Sequence, residues 1–292
     1  EHAMEPSRNG PFRYLPVVKR PPIQWPNGAR VALWIAPNVE FFPFNQAVPF
    51  GIGINPDVLA WSQRDYGGRV GVFRVMRVLA KHGVRATVAL NADVCDEYPE
   101  VIEEALKLDW EFMGHGETNS NMVDSMDLAE QRRSITATFD RIEKATGRRP
   151  RGWLSPGVRM NWDTPDILID VGCEYYCDFV NDDQPYLMDV DGRQLVNVPY
   201  SSEMNDLPAF MRANRTAEEF ATMIKRQFDV LYREGAESGR VMCIALHPFL
   251  IGVPHRIDAL DDALSYICSH DDVWRATASE ILGAYLASDP SV

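Results

Sequence analysis

The sequence is short of positive charge: 29 Lys and Arg stand against 42 Asp and Glu, a formal net charge of −13 with a pI near 4.9. A surface of that sign repels phosphate and anionic headgroups, so neither nucleic acid nor a membrane is an expected partner. No stretch approaches the roughly 20 uninterrupted apolar residues that cross a bilayer. The start, Glu1-His2-Ala3-Met4, lacks the basic and apolar regions of a secretory signal. Residues 1–3 read as a tag remnant before Met4, and a cytoplasmic protein is expected. Cysteine is sparse and odd in number, at 95, 173, 177, 243 and 268. Without His or Cys partners at metal spacing, these read as reduced, mostly buried thiols. No Gly-rich phosphate loop follows a candidate strand, which leaves a dinucleotide site unsupported.

What remains has the composition of an ordinary globular protein, 46% hydrophobic and 24% charged. Residues 1–29 form a Pro-rich arm, with Pro6, Pro11, Pro16, Pro21, Pro22 and Pro26 too close for a helix. Such an arm can wrap its own domain or drape over a neighbour, and a homodimer or homotetramer through it is the expectation. Residues 30–292 read as one domain in which short apolar runs alternate with helical periods.

Candidate strands are 30–36, ending at Pro37, then 86–90, 110–113, 152–154, 173–177, 195–198, 241–246 and 273–275. Helical periods run through 70–82 with Gly83 as cap, from Pro99, and from Asp127 with Glu130 as a capping box to Gly147. Others span 165–171, follow Thr216 and Glu219, cover 257–269, and end near Leu286. Seven or eight βα units favour an α/β fold closed into a distorted (β/α)7-type barrel over an open sheet.

Barrel enzymes carry their chemistry at the carboxyl ends of the strands. Asn38-Val39-Glu40 follows the first strand, Gly114 to Asn119 the third and Ser155-Pro156-Gly157 the fourth. Asp178 with Asn181-Asp182-Asp183 follows the fifth, and His247-Pro248 follows the run 241–246. Carboxylates and histidines converging in this way suit hydrolysis of an amide-like bond. One group activates water, another stabilises the oxyanion and a third protonates nitrogen. The structural alternative for His115 and His247 is a histidine bonded to a neighbouring group at the barrel rim.

The ordered set Asn38-Val39-Glu40-Phe41, His115 to Asn119, Trp153 to Gly157, Asp178 and Leu246-His247-Pro248 resembles the successive motifs of the polysaccharide deacetylase superfamily. The resemblance covers most of residues 30–285 and is closest to the branch containing cofactor-free allantoinase and related cyclic-amide hydrolases. It implies a polysaccharide deacetylase fold and hydrolysis of a non-peptide C–N bond. Metal-dependent members hold a divalent ion with one Asp and two His beside a separate Asp base. By position Glu40 matches the base, Phe41 the metal-binding Asp, His115 the first His and Asn119 the second. With two of three protein ligands replaced, no metal is favoured. The alternative is zinc or another divalent ion at a rebuilt site of His115, Glu40, Glu117, Asn119 or Asp178.

The expected catalytic residues are therefore Glu40, His115, His247 and Asp178. Expected substrate contacts are Asn38, Asn119, Ser155, Pro156, Asp183, Glu203, His255 and Arg256, with Asp206 a further acidic candidate. The preferred substrate is a small, cyclic amide, imide or ureide. A metal-dependent N-deacetylase of an acetylated sugar is the alternative, and a non-catalytic binding protein the third reading. Part of the acidic surplus is expected to face the pocket, mutually raising its pKa values and favouring a neutral, NH-rich substrate.

Overall fold

The structure, a computed structural model, describes residues 4–290, so the tag expectation for residues 1–3 lies outside the described residues. Its strands are β1 (Val31–Val39), β2 (Thr87–Leu90), β3 (Glu111–Gly114), β4 (Gly152–Trp153), β5 (Tyr175–Tyr176), β6 (Tyr186–Val190), β7 (Arg193–Asn197), β8 (Arg240–Leu246) and β9 (Val273–Arg275). They are ordered β6-β7-β5-β4-β3-β2-β1-β8, with β9 also paired to β1. All pairings are parallel except the β6–β7 hairpin. The fold is a distorted (β/α) barrel, as the alternation of apolar runs and helical periods predicts.

β1 pairs with β8 from Val31 to Pro37, and every residue of both strands is buried. The twofold alternation of a strand divides β1 between two environments. Leu33 and Ile35 pack outward with the helices, whereas Ala32, Trp34 and Ala36 pack inside the ring with Met113, Leu154, Tyr175 and Val241. Continued past Ala36, the inward phase falls on Asn38 and Glu40, and the outward phase on Phe41.

Pro37 does not end the first strand as expected. It pairs with Leu246 where β1 leaves β8, and β1 takes up β2 from Asn38 onward, so the missing N–H falls at a change of partner. The helical period expected at 70–82 begins much earlier. A helix at Val58–Tyr66 passes through a wide turn at Gly67–Gly71 into the helix Val72–Lys81. Gly71 is required by packing: a Cβ there would lie 2.1 Å from the Pro248 carbonyl oxygen. The contact presses this helical run against the chain that leaves β8. The helix expected at 257–269 begins at Pro254, so His255 and Arg256 lie in its first turn and not in a loop.

Thr216 and Glu219 form a reciprocal capping box, and Gly147 closes its helix at φ +70°. At the expected Asp127–Glu130 box only half forms: the Asp127 carboxylate accepts the Glu130 N–H at 2.9 Å. The arm lies along its own chain: the Trp25 indole N–H donates to the Arg240 carbonyl (2.9 Å), and Arg20 pairs with Asp182. Phe12 packs edge-on against Phe179 and Tyr186. All five cysteines are free thiols; Cys173, Cys177 and Cys243 are buried. No helix among the described residues is long and apolar enough to cross a membrane.

Candidate active site

The carboxyl ends of the strands open on a cavity of about 640 Å3 lined by Asn38, Glu40, His115, Asn119 and His247. Glu40 is its centre. Its Oε1 accepts the Asn119 side-chain N–H at 2.8 Å and lies 3.3 Å from His115 Nε2 and 3.7 Å from His247 Nε2. The three ionisable side chains are nearly sealed from solvent, at 7%, 2% and 6% exposure for Glu40, His115 and His247.

Each of these groups is held from behind. His115 Nδ1 engages the Leu154 carbonyl at 2.6 Å, which puts the donor proton on Nδ1 and turns Nε2 toward Glu40. The carbonyl bond offered as the structural alternative for His115 thus exists, and it orients the ring. His247 Nδ1 meets Asp206 Oδ1 at 2.7 Å, and the His247 backbone N–H reaches both Asp206 oxygens. Burial lowers the affinity of His247 for a proton, but Asp206 and then Glu40 outweigh it and hold the imidazole above its ordinary value. Burial likewise pushes the Asp206 carboxyl up, against the pull of His247. Buried Asn91 ties the layer together: it accepts the Phe41 N–H and donates to the His115 carbonyl and to Asn119 Oδ1.

The structure brings Asn38, Glu40, His115, Asn119 and His247 to the cavity and places the other candidates elsewhere. Asp178 stands behind the wall. It accepts the Ser155 N–H at 2.8 Å and the Tyr176 hydroxyl, and burial, not a second carboxylate, raises its carboxyl. Ser155 is fully buried and accepts the Trp153 indole N–H; Pro156 packs on Gly116, while their neighbours Leu154, Gly157 and Val158 line the cavity.

Asp183 sits at the opposite end of β8, where its carbonyl accepts the Val241 N–H, so it does not face substrate. Glu203 points to solvent, and His255 is exposed in the first turn of its helix. Arg256 stacks over the Phe210 ring at 4.3 Å, supporting the turn Pro208–Arg212 from outside the cavity. Glu117 turns away toward Arg133 (3.0 Å) and Arg141 (3.7 Å). Sequence reasoning missed Tyr200, Asn205, Arg64 and Arg212, which all line the cavity. Tyr200 accepts N–H bonds from Asn38 (3.0 Å) and Asn205 (3.4 Å). Burial holds its phenol far above the ordinary value, leaving a neutral hydroxyl in the wall.

Residues 60–176 match the family described as polysaccharide deacetylase. A Pseudomonas aeruginosa structure titled a probable polysaccharide deacetylase superposes with a TM-score of 0.84 at 29% identity, covering 93% of this chain and 96% of that one. Residues 60–176 thus resemble a polysaccharide deacetylase domain. The structure of PuuE allantoinase matches this chain equally well, at TM-score 0.84 and 28% identity over 93% and 95% of the two chains. A Schizosaccharomyces pombe relative carrying the polysaccharide deacetylase name is 28% identical over 247 residues, 77% of this chain and 76% of its own.

The side chains here do not fit the divalent ion that the deacetylase family implies. The Phe41 ring faces outward against Tyr98, with centroids 5.6 Å apart. Asn119 turns its N–H toward Glu40 and its oxygen toward Asn91, so its donor and not its oxygen faces the Glu40 carboxylate. Among the described residues no group of three or more His, Cys, Asp or Glu side chains is placed to hold a metal ion. The expected crowding of carboxylates in the pocket is also corrected. Glu40 is the single carboxylate among the described residues lining this cavity, against Arg64, Arg159 and Arg212.

Proposed function

We propose that the protein hydrolyses a C–N bond of a small amide, imide or ureide, cyclic in the preferred case, using side chains alone. The observation that carries this reading is the position of Glu40 Oε1, fixed by Asn119 between two imidazole Nε2 atoms, one of them backed by a buried Asp206. The named relatives include an allantoinase and deacetylases, enzymes that act on C–N bonds, which supports the same class.

In the proposed reaction Glu40 takes a proton from water as the water oxygen bonds to the carbonyl carbon. Protonated His247, with its charge matched by Asp206, faces the developing oxyanion and then gives the Nε2 proton to the departing nitrogen as the C–N bond breaks. The proton held by Glu40 can return to His247 across the 3.7 Å between them, which resets both groups. The Asn119 side-chain N–H holds the carboxylate in line, and the Tyr200 hydroxyl offers a neutral contact.

The test is a panel of cyclic imides, ureides and N-acetylated sugars, run with and without chelator and with elemental analysis of the purified protein. Glu40→Gln is expected to lower kcat by about 10² or more on the accepted substrate. Wild-type turnover by that variant would remove Glu40 from the reaction. Stoichiometric zinc with chelator-sensitive deacetylation would replace the reading with the sugar N-deacetylase.

A further inference from the structure

Arg64 is the least explained charge in the molecule. It lies in the helix Val58–Tyr66, is only 5% exposed, and lines the cavity. Its guanidinium donates to the carbonyls of Ala60 (3.3 Å) and Pro49 (2.9 Å), both neutral acceptors. Its face packs on the Phe249 ring at 4.7 Å. Asp57, on the same helix, is already committed as the N-cap, accepting the N–H groups of Ala60 and Ile52. Glu40 and Asp57 reach Arg64 only through space, with no carboxylate at ion-pair distance among the described residues.

A buried guanidinium is normally matched by a carboxylate, because neutral carbonyls recover only part of the cost of desolvating the ion. Its remaining N–H donors form a planar fork with no acceptor among the described residues. Across the same cavity Arg212 rests over the Phe50 ring at 5.3 Å, also with no carboxylate partner among the described residues. Arg159, the third arginine of the lining, is neutralised by Asp124 at 2.7 Å.

We propose that Arg64 and Arg212 form an anion subsite, and that the physiological substrate is a carboxylate-bearing cyclic amide or ureide. Its carboxylate binds these guanidiniums while its C–N bond lies at Glu40 and His247. The inference deepens the function proposed above and rests on this cavity being the reaction site. It departs from the neutral substrate that the chain's acidity suggested, since the local charge has the opposite sign to the global one.

Matched probes decide it: hydantoin against hydantoin-5-acetic acid, which differ by one carboxymethyl group. Calorimetry on the Glu40→Gln protein, with the whole 292-residue chain, measures binding without turnover. The acid is expected to bind at least about tenfold more tightly at low salt, with the advantage shrinking as ionic strength rises. Arg212→Gln, at an exposed position, and Arg64→Lys, which keeps the buried charge but loses the fork, are each expected to collapse the ratio. Equal binding of the two probes, or a ratio unchanged in both arginine variants, would overturn the subsite. A preference for the acid, lost in the arginine variants, in a protein whose wild type hydrolyses neither probe would sustain the subsite and count against the proposed reaction.

Discussion

Asp206→Asn separates the residue that carries the proton from the residues that merely surround it. Asp206 is completely buried and accepts His247 Nδ1 at 2.7 Å and the His247 backbone N–H at 2.9 and 2.7 Å. Asn keeps the shape and one acceptor oxygen, so the backbone anchor survives, but the charge facing the imidazolium is gone. A hydrogen bond to a charged group contributes about 1.5–3 kcal/mol net and a neutral one about 0.5–1.5 kcal/mol. The difference, about 1–1.5 kcal/mol, corresponds to roughly a tenfold loss of kcat/KM near neutrality. The sign of the pH dependence follows from the structure. His247 is held above its ordinary value of 6.5 by Asp206, and it acts protonated, so the wild-type alkaline limb lies above that value. In the variant the limb moves to lower pH, so the deficit grows as pH rises. The assay is a pH–rate profile on the accepted substrate, with thermal unfolding to confirm that the variant is folded. A uniform loss at every pH, with the limb unmoved, would refute the assignment of His247 as the acid.

Three further substitutions test the supports of the site and of the fold. Asp178→Ala strips the acceptor from the Ser155 N–H and the Tyr176 hydroxyl; thermal unfolding should show a loss of about 1–3 kcal/mol from the orphaned donors, with a fall in kcat as the Leu154 carbonyl that holds His115 loosens. Gly152→Ala places a Cβ 1.9 Å from the ring of fully buried Tyr175; denaturant unfolding should register a cost of about 1–3 kcal/mol from overpacking. Trp25→Ala removes the buried anchor of the arm and its bond to the Arg240 carbonyl. A loss of about 3–5 kcal/mol is expected, and limited proteolysis should cut the arm faster; unchanged cleavage would mean that the arm is held by Phe12 and Arg20 alone.

What was legible in the sequence was whatever one strand or one helix determines by itself. Glu40, His115 and His247 were found because each follows a short apolar run, and the twofold phase of β1 carries Asn38 and Glu40 inward while sending Phe41 outward. Asp183, Glu203 and His255 failed under the same rule, because position along the chain near a strand says nothing about which end of the barrel, or which side of a turn, a side chain reaches. Arg64 was invisible for a different reason. The helical period read at 70–82 starts after Gly67, yet Gly67 and Gly71 allow a continuous helical run to pass close to Phe249 and Pro248, and that approach places Arg64 in the cavity. The net charge misled in the same way, being a sum over the chain with no direction. Many of the acids are spent on surface arginines: Arg141 takes Asp93 and Asp96, Arg149 takes Asp140 and Glu143, and Arg193 takes Asp166 and Asp170. A chain at −13 can therefore line its cavity with three guanidiniums and one carboxylate. The field a substrate meets at Glu40 is set by that local ratio, with distant surface charge screened over about 8–10 Å, and it favours an anion over the neutral ligand that the total charge implied.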